Sequence, residues 1–355
     1  MIPEFIDTWQ MTEPGKLVKT RVPMPAVGAG DVVVQIKGCG VCHTDLSYFY
    51  MGVPTVQKPP LSLGHEISCV VVGGDAALIG KEVIVPAVIP CGECDLCKSG
   101  RGNRCLAQKM PGNSMGIYGG FSSHIVCQAK FLCVVGERGD TPIEHLSVVA
   151  DAVTTPYQAA VRARLTAGDL VIVVGAAGGV GSFMVQTAKG MGAKVVIGID
   201  INEEKLKMME GYGADATINP KGMSAKDLKE AFKAIAKANG VSSNTGWKIF
   251  ECTGTKPGQE TALSLLSFVG TLVIVGYGTG ETSYMLSKLM AFDAEIIGTW
   301  GCTPDKYPAV LEMCLDGRIQ LAPFVETRPM SQIEQVFDEA HHGKLKRRVI
   351  LTTDF

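Results

Sequence analysis

Residues 171–181 read Val171-Ile172-Val173-Val174-Gly175-Ala176-Ala177-Gly178-Gly179-Val180-Gly181, and this stretch decides the fold of the second half of the chain. Its apolar start predicts a buried strand over residues 170–174, and its glycines allow a sharp turn into an apolar helix that we expect to end at Gly190. Residues 194–199 predict the next strand. A strand, a glycine turn, a helix and a second strand in this order form a parallel βαβ unit.

The glycine turn also predicts a nucleotide-binding site. Gly175, Gly178, Gly179 and Gly181 let the backbone approach a pyrophosphate, and the N-terminus of the following helix offers free N–H groups to it. Asp200 ends the second strand, nineteen residues after Gly181. A carboxylate at this place can accept hydrogen bonds from ribose hydroxyls and would repel a 2′-phosphate. We therefore expect NAD rather than NADP as the cofactor.

The alternation of strands and helices continues beyond this unit. Ser224 is expected to cap a helix, with Asp227 at its third position and Gly240 at its end. Residues 248–251 and 271–275 predict two more strands. Repeated alternation of this kind implies an α/β fold with a doubly wound parallel sheet, the Rossmann arrangement.

The regions before and after this alternation show a different pattern of predicted secondary structure. The first part of the chain holds short β-rich runs, such as residues 32–36 and 82–85, separated by Gly and Pro. From Pro304 onward the alternation is lost, and the chain ends in a predicted strand, residues 348–351, that has no partner in the alternating region. The sequence therefore predicts a β-rich domain of residues 1–153 and 304–355, and a Rossmann domain of residues 154–303.

The composition excludes several classes of protein. The chain has 355 residues, 46% of them hydrophobic and 19% charged, with a formal net charge of −2 and a pI near 6.3. This charge balance provides no overall field that would attract nucleic acid or anionic lipid. The N-terminal MIPEFIDTWQ does not resemble a secretory signal, and the apolar runs are too short to cross a bilayer. We expect a cytoplasmic protein with no nucleic-acid or membrane partner.

Four of the twelve cysteines have metal-binding spacing. They lie within fifteen residues in the pattern C-x2-C-x2-C-x7-C, and they are Cys91, Cys94, Cys97 and Cys105. Four thiolates can close a tetrahedron around Zn²⁺ without an open position, which is typical of a structural zinc site. A disulfide pair, an iron–sulfur cluster and a nucleic-acid zinc ribbon are the alternatives. No Pro follows the last Cys, as the iron–sulfur pattern would require, and few basic residues surround the loop.

Two further metal-ligand candidates lie upstream. Cys42 belongs to the run GCGVCHTD at residues 38–45, and His65 belongs to Gly64-His65-Glu66. A lone Cys or His is more often structural than metal-binding. Taken together with the four-cysteine loop, however, the two motifs form the pattern of a known family.

In these motifs, and over essentially its full length, the sequence resembles the zinc-containing medium-chain dehydrogenases. The resemblance implies a GroES-like catalytic domain beside the Rossmann domain, two Zn²⁺ per chain and NAD-linked oxidation of an alcohol. Cys42 and His65 match two ligands of the catalytic zinc, and the aligned third position is Asp151, where yeast-type relatives have Cys. Zinc accepts a carboxylate oxygen as well as a thiolate. Glu66, adjacent to His65, is the alternative carboxylate ligand.

The resemblance also implies roles for residues around the zinc and the cofactor. Thr44 is the expected first member of a proton relay, whose exit is water beyond Ser47, the ribose or His43. The other expected cofactor contacts are Thr155, Val180 and Val275 at the nicotinamide, Lys205 at the ribose, and His43 and Arg347 at the pyrophosphate. The two valines could equally be core residues, and the cations could be surface residues.

Three runs narrow the resemblance to one subgroup of the family. They are residues 42–50, 101–114 and 119–124. Members of this subgroup oxidise a cyclic secondary alcohol carried on a CoA thioester. The resemblance thus implies conversion of 6-hydroxycyclohex-1-ene-1-carbonyl-CoA to the 6-oxo product, with NAD, in anaerobic benzoyl-CoA degradation.

Two groups of side chains are candidates for binding such a substrate. Tyr48, Phe49 and Tyr50 could line an apolar ring pocket, or they could be core residues. A basic run could meet the CoA phosphates, or it could be a solvated edge, and its members are Lys344, Lys346, Arg347 and Arg348.

Other functions fit the same motifs. One alternative is a dehydrogenase of simple alcohols or polyols, and another is conjugate (1,4) hydride transfer on an enoyl-CoA. An alternative of a different class is a non-catalytic, crystallin-like nucleotide-binding protein that kept the fold without the catalytic metal. The expected partners are the small-molecule substrate and further copies of the chain, in a tetramer or else a dimer.

Overall fold

The computed structural model describes residues 2–355 in two compact units. The first unit comprises the residues up to Thr154, together with residues 301–315 and 321–355, and the second comprises residues 155–300 and 316–320. The sequence predicts only two boundaries between these units, one between residues 153 and 154 and one between residues 303 and 304. Met1, the first residue of the predicted β-rich domain, lies outside the described residues.

The short segment of residues 316–320 belongs to the second unit, although the sequence assigns it to the β-rich domain. Gln320 explains the difference. Its backbone N–H donates to Oε1 of Gln186 at 2.8 Å, and Nε2 of Gln186 donates back to the Gln320 carbonyl at 3.5 Å. Gln186 lies on the helix that follows the glycine turn, so this side chain holds the segment to the second unit.

The strands follow one another in chain order as β1 (Phe5–Glu13), β2 (Lys16–Pro23), β3 (Asp31–Gly40), β4 (Leu61–Ser62), β5 (Glu66–Gly73), β6 (Glu82–Val85), β7 (His124–Gln128), β8 (Cys133–Val134), β9 (Leu170–Val174), β10 (Val195–Ile199), β11 (Ala216–Ile218), β12 (Trp247–Glu251), β13 (Thr271–Ile274), β14 (Glu295–Gly298), β15 (Val325–Pro329) and β16 (Arg348–Thr352).

The α-helices are α1 (His43–Tyr50), α2 (Asp95–Lys98), α3 (Thr154–Arg162), α4 (Gly181–Gly190), α5 (Glu203–Glu210), α6 (Ala225–Ala238), α7 (Lys256–Ser264), α8 (Ser287–Phe292), α9 (Tyr307–Leu315) and α10 (Ile333–His341). Short 3₁₀ turns connect them at Gly102–Arg104, Ala129–Phe131, Ile143–Ala150, Pro304–Lys306, Ala322–Phe324 and Met330–Gln332. Between residues 2 and 355, no helix combines the length and the apolar surface that a bilayer crossing requires.

The second unit is built on one six-stranded parallel sheet. Its strand order, β11-β10-β9-β12-β13-β14, is the 3-2-1-4-5-6 order of a doubly wound Rossmann sheet. The central strand β9 is buried, and Val171, Ile172 and Val173 have no exposed surface. A strand covered on both faces reads as a continuous apolar run, which is why its sequence was diagnostic. The expected α/β fold is confirmed.

Helix α6 shows how the local sequence sets these elements. The Ser224 hydroxyl accepts the N–H of Asp227 at 3.2 Å, and the Asp227 carboxylate accepts the N–H of Ser224 at 3.0 Å. This reciprocal pair is a capping box. On the buried face, the ring of Phe232 packs edge-on against Trp247 of β12, with ring centroids 4.9 Å apart. The predicted cap is confirmed.

The first unit contains a seven-stranded sheet and a three-stranded sheet. The larger has the order β15-β16-β3-β5-β6-β8, with β7 also paired to β3, and the smaller has the order β2-β1-β4. The last strand, β16, runs antiparallel to β3, where Ile350 lies opposite Gly40. The strand predicted at the C-terminus therefore pairs within the first unit, as its lack of a partner in the Rossmann region indicated.

Candidate functional site

Two strands of the first unit bring a thiol and an imidazole together. β3 and β5 are antiparallel and Gly40 lies opposite Glu66, so the end of β3 meets the start of β5. Cys42 follows β3 at the N-terminus of α1, and His65 directly precedes β5. Both residues are buried, with 8% and 1% of their surface exposed.

Asp151 joins this pair from the end of the 3₁₀ turn Ile143–Ala150. Its Oδ2 lies 3.4 Å from Nε2 of His65 and 3.9 Å from Sγ of Cys42. Together with a carboxylate oxygen of Glu66, these ligand atoms all lie within 4.8 Å of one another. The four residues that the sequence nominates as ligands of a catalytic zinc therefore lie in one place.

The cluster has the ligand chemistry of a metal site. Nε2 of His65 is buried and makes no hydrogen bond with the described residues. A buried polar atom without a partner is costly, so such an atom calls for an explanation. One thiolate, one imidazole and one carboxylate leave tetrahedral Zn²⁺ with an open position, as in catalytic zinc sites. The residues present therefore fit a zinc ion that can also bind a substrate.

Asp45 fixes the orientation of the His65 ring. Its Oδ1 lies 3.2 Å from Nδ1 of His65 and also accepts the N–H of Gly64 at 3.1 Å. Its Oδ2 accepts the N–H of Cys42 at 3.0 Å, and the residue has no exposed surface. A carboxylate on Nδ1 selects the tautomer that presents Nε2 to a metal. One side chain thus positions two ligands.

The electrostatics of the cluster favour a positive charge at its centre. Burial by itself lowers the pKa of His65, but the carboxylates of Asp45 and Asp151 outweigh burial and hold that pKa well above its usual value. A bound cation would supply this positive charge while the imidazole of His65 stays neutral.

The carboxylate of Glu66 is held by a buried guanidinium. Arg348, at the start of β16, donates from Nε to Oε2 of Glu66 at 2.8 Å, and a terminal nitrogen donates to Oε1. The side chains of Arg348 and Glu66 are 7% and 0% exposed. Bidentate pairs of this kind are strong and directional. Both carboxylate oxygens of Glu66 accept hydrogen bonds from Arg348, so Asp151 is the better candidate for the third metal ligand.

Arg348 is where a sequence-based expectation is wrong. It lies neither on a solvated edge nor open to CoA phosphates, because its guanidinium is buried against Glu66. The sequence held one signal of this role, since a charged residue opens the otherwise apolar run Val349-Ile350-Leu351. Its partner is 282 residues away, which no local pattern could identify.

The residues of the expected proton relay lie in the first turns of α1. Oγ1 of Thr44 is 3.7 Å from Sγ of Cys42, so Thr44 lies at the ligand cluster. The Ser47 hydroxyl donates to the Thr44 carbonyl at 2.7 Å, which commits its proton to the helix backbone. The packing around His43 and the positive charge of Arg348 lower the pKa of His43. His43 is also exposed.

The four-cysteine loop forms a second cluster around α2. Sulfur–sulfur distances are 3.5 Å for Cys94–Cys97, 3.7 Å for Cys94–Cys105 and 3.9 Å for Cys91–Cys97. Four Zn–S bonds of about 2.3 Å would give a tetrahedron with edges of about 3.8 Å. None of the four cysteines is in a disulfide, so the disulfide alternative is wrong.

Backbone N–H groups stabilise a thiolate in this loop. Those of Glu93 and Cys94 donate to Sγ of Cys91 at 3.4 Å each, and they lower the pKa of Cys91 to about 6. Zinc binds the thiolate form of cysteine, so the loop is prepared for a metal. With no substrate position left open, this site fits a structural zinc.

In the second unit, the glycine turn has the form that a pyrophosphate requires. Gly181 opens α4, and a Cβ at this position would clash with the carbonyl oxygen of Gly175. Gly178 and Gly179 are exposed at the tip of the turn. The turn therefore presents bare backbone at a helix N-terminus, where N–H groups and the helix dipole favour an anion.

Asp200 follows β10, and its carboxylate belongs to the hydrogen bonds of the glycine turn. Oδ2 accepts the N–H of Ala177 at 3.0 Å, and Oδ1 accepts the N–H of Asn202 at 3.0 Å. The sequence indicated only a ribose contact and missed this support of the turn. Lys205 is half-buried in the first turn of α5.

The other predicted cofactor residues belong to both units. In the second unit, Thr155 and Val180 are half-buried near the N-termini of α3 and α4. Val275 is also half-buried, and its N–H donates to the Glu251 carbonyl at 2.9 Å. Neither valine is a fully buried core residue. In the first unit, Arg347 is exposed.

The three consecutive aromatic residues of α1 do not form one pocket wall. Phe49 is 6% exposed and packs edge-on against Phe337 of the core, at 5.3 Å between ring centroids. Tyr50 is exposed, and its ring stacks on His341 at 4.2 Å. Tyr48 alone is left as a candidate for contact with a substrate.

Two family models match the chain. Residues 28–137 match the family described as alcohol dehydrogenase GroES-like domain, and residues 179–316 match the family described as zinc-binding dehydrogenase. Together they span well over half of the sequence. The first covers Cys42, His65 and the four-cysteine loop, and the second covers the end of the glycine turn, from Gly179, and Asp200.

Similar proteins extend this likeness to the full length. An alcohol dehydrogenase of Geobacillus stearothermophilus is 31% identical, over 94% of this chain and 95% of its own. An S-(hydroxymethyl)glutathione dehydrogenase of Synechocystis sp. is also 31% identical, over 96% of this chain and 97% of its own. Among solved structures, galactitol-1-phosphate dehydrogenase from Escherichia coli has a TM-score of 0.86 at 23% identity, with 98% of this chain and 99% of that chain covered.

Proposed function

We propose that this chain, which belongs to the zinc-type medium-chain alcohol dehydrogenases, oxidises a cyclic secondary alcohol carried on a CoA thioester. Its function as an NAD-linked zinc oxidoreductase acting on CH–OH follows from the family. The proposed substrate is 6-hydroxycyclohex-1-ene-1-carbonyl-CoA, the product is the 6-oxo thioester, and the reaction would belong to anaerobic benzoyl-CoA degradation. The observation that carries the catalytic part of the proposal is the three-ligand cluster of Cys42, His65 and Asp151, with its unpartnered imidazole nitrogen.

We propose two zinc ions per chain, one in each cluster. Cys42, His65 and Asp151 would hold the catalytic ion, and the thiolates of the four-cysteine loop would hold the structural one. When bound, zinc supplies a Lewis acid that lowers the pKa of a hydroxyl, and NAD supplies a two-electron hydride acceptor. The chain's own side chains position these groups and remove the proton.

Residues of α1 would remove the proton of the substrate hydroxyl. Thr44 lies 3.7 Å from Sγ of Cys42 and is placed to accept the proton of the substrate hydroxyl while passing on its own. Ser47 is a poor next step because its hydroxyl donates to the Thr44 carbonyl. His43, with its lowered pKa and its exposure, is the proposed group that releases the proton to solvent.

The choice of cofactor is assigned to Asp200, and this assignment can be tested with a matched pair of variants. Asp200→Asn keeps an oxygen that can accept the Ala177 N–H but removes the charge, so we expect NADP use to rise with a modest loss for NAD. Asp200→Gly also removes the support of the turn, so we expect kcat/KM with NAD to fall further, by about tenfold or more. Steady-state kinetics with both cofactors measure this. A native enzyme that already prefers NADP would contradict the assignment.

The thioester part of the proposal rests on the resemblance of residues 42–50, 101–114 and 119–124 to one subgroup. A relative at 31% identity acts, by its name, on an alcohol carried by the thiol of glutathione, so the family admits substrates on a thiol carrier. Lys346 and Arg347 are exposed and make no ion pair with the described residues, which leaves them available to CoA phosphates. Lys344 lies 3.7 Å from Asp338 and is less available.

A dehydrogenase of simple alcohols or polyols is the second candidate, because a relative at 31% identity is named an alcohol dehydrogenase. Conjugate hydride transfer on the unsaturated thioester uses the same site with a different acceptor carbon. Family membership and the ligand cluster both speak against a crystallin-like protein without catalysis. By resemblance, we also propose a cytoplasmic homotetramer, with a dimer as the alternative.

A spectrophotometric assay of NAD reduction tests the proposed function. The zinc-loaded enzyme is given cyclic and open-chain hydroxyacyl-CoA esters, free cyclic alcohols and polyols. We expect the ring hydroxyacyl-CoA to have the highest kcat/KM and the 6-oxo thioester to be the product. Faster turnover of free alcohols would favour the second candidate. Conjugate transfer is tested in the reverse direction, with NADH and the 6-oxo enone thioester. A product whose ring double bond is reduced while the ring carbonyl is kept would favour it.

A further inference from the structure

Tyr48 lies on the face of α1 that carries the proton relay. It is one helical turn after Thr44, and residues four apart share a helix face. Thr44 lies at the ligand cluster, 3.7 Å from Sγ of Cys42. Tyr48 itself is 8% exposed. The phenol is therefore a buried polar group on the helix face that also carries Thr44.

The direction of the hydrogen bond at this phenol can be read from its partner. The N–H of Val56 donates to Oδ1 of Asn113 at 3.2 Å, which identifies the acceptor end of the Asn113 amide. The other end, Nδ2, therefore donates to the Tyr48 oxygen at 2.7 Å. The phenol oxygen accepts in this bond, so its own proton points elsewhere. Among residues 2–355, no acceptor takes that proton.

The loop that carries Asn113 also lies against the ligand cluster. A Cβ on Gly112 would come within 2.7 Å of the backbone nitrogen of Gly64. Gly112 precedes Asn113, and Gly64 precedes His65, so close backbone packing brings the amide to the neighbourhood of a proposed ligand. Burial raises the pKa of the Tyr48 phenol, and the charges of His65 and Asp45 make smaller, opposing contributions to it, which agrees with this closeness.

We propose that Tyr48 is a specificity-determining residue whose hydroxyl donates a hydrogen bond to the oxygen of a carbonyl group that is attached to the carbon next to the alcohol carbon of the substrate. This inference rests on the proposed function and deepens it. In the proposed substrate, the thioester carbonyl is attached to the ring carbon beside the one that bears the hydroxyl. The two oxygens can lie side by side, one at the ligand cluster and the other at Tyr48. A simple alcohol has no such second oxygen.

Three substrates and two variants test the assignment. The substrates are 6-hydroxycyclohex-1-ene-1-carbonyl-CoA, the methyl ester of the same acid, and cyclohex-2-en-1-ol, which has no carbonyl. Tyr48→Phe removes the donor, and Asn113→Asp turns the phenol proton toward a new carboxylate while keeping an acceptor for Val56. We expect each variant to lower kcat/KM for the methyl ester about tenfold relative to cyclohexenol, which corresponds to one lost hydrogen bond.

Tyr50→Phe is the matched control, because Tyr50 is exposed on the same helix and should leave the ester preference unchanged. Zinc content, measured by elemental analysis, should equal that of the native chain in every variant. The proposal would be overturned if Tyr48→Phe lowered kcat/KM equally for the methyl ester and for cyclohexenol. It would also be overturned if Asn113→Asp kept the native preference for the methyl ester, or if the native chain showed no such preference. Turnover of the methyl ester but not of the CoA ester would instead refute the proposed function. The role of Tyr48 would still be decided by the ratio of kcat/KM for the methyl ester to kcat/KM for cyclohexenol.

Discussion

Replacing Asp151 with Asn is expected to reduce zinc from about two ions per chain to about one and to lower turnover at least a hundredfold. The neutral amide is a weaker ligand than a carboxylate, and the substitution takes one negative charge from a cluster that already favours a cation. Nε2 of His65 and Sγ of Cys42 would then hold the metal with one ligand fewer. Elemental analysis and the NAD-reduction assay, made on the same preparation, measure the two losses together.

Asp151→Cys is the matched control for this prediction. Yeast-type relatives have Cys at this position by resemblance, and a thiolate carries the same formal charge as the carboxylate. We expect this variant to retain two zinc ions and most of its structure, with lower turnover because the softer ligand leaves the metal less electrophilic. Unchanged zinc and rate in Asp151→Asn would remove Asp151 from the ligand shell.

Glu66→Gln separates the two carboxylates of the cluster. It breaks the buried pair with Arg348 and leaves a guanidinium without its counter-charge, so we expect a loss of about 3–5 kcal/mol of stability. Zinc should be retained as long as the first unit stays folded, because Arg348 already occupies both oxygens of Glu66. Zinc lost in Glu66→Gln but kept in Asp151→Asn would reverse the ligand assignment.

The parts of the molecule that the sequence predicted well are the ones encoded locally. The glycine turn, its flanking strand and helix, and the capping box of Ser224 and Asp227 each lie within a few residues, so periodicity and spacing identify them. The four-cysteine loop is equally local, because all its ligands fall within fifteen residues.

The parts that escaped prediction depend on contacts between distant segments. The pair of Glu66 and Arg348 spans 282 residues, and the bond between Tyr48 and Asn113 spans 65. Such contacts leave no periodic pattern in one sequence. Asp151 could be nominated only by resemblance, since its relation to Cys42 and His65 arises from folding, with the 3₁₀ turn brought beside β3 and β5.

Cys105→Ser is expected to remove the other zinc and to destabilise the first unit without disabling the catalytic cluster. Structural zinc can contribute on the order of 10 kcal/mol to local folding, so loop 91–105 should become sensitive to protease and the thermal unfolding midpoint should fall steeply. At low temperature, the remaining zinc per chain should still support turnover, which is the opposite of the pattern expected for Asp151→Asn. Cys133→Ala is the matched control, because Cys133 is a buried thiol of β8 outside both clusters and should leave the zinc content at two. Full zinc content in Cys105→Ser would show that the four thiols do not bind the metal together.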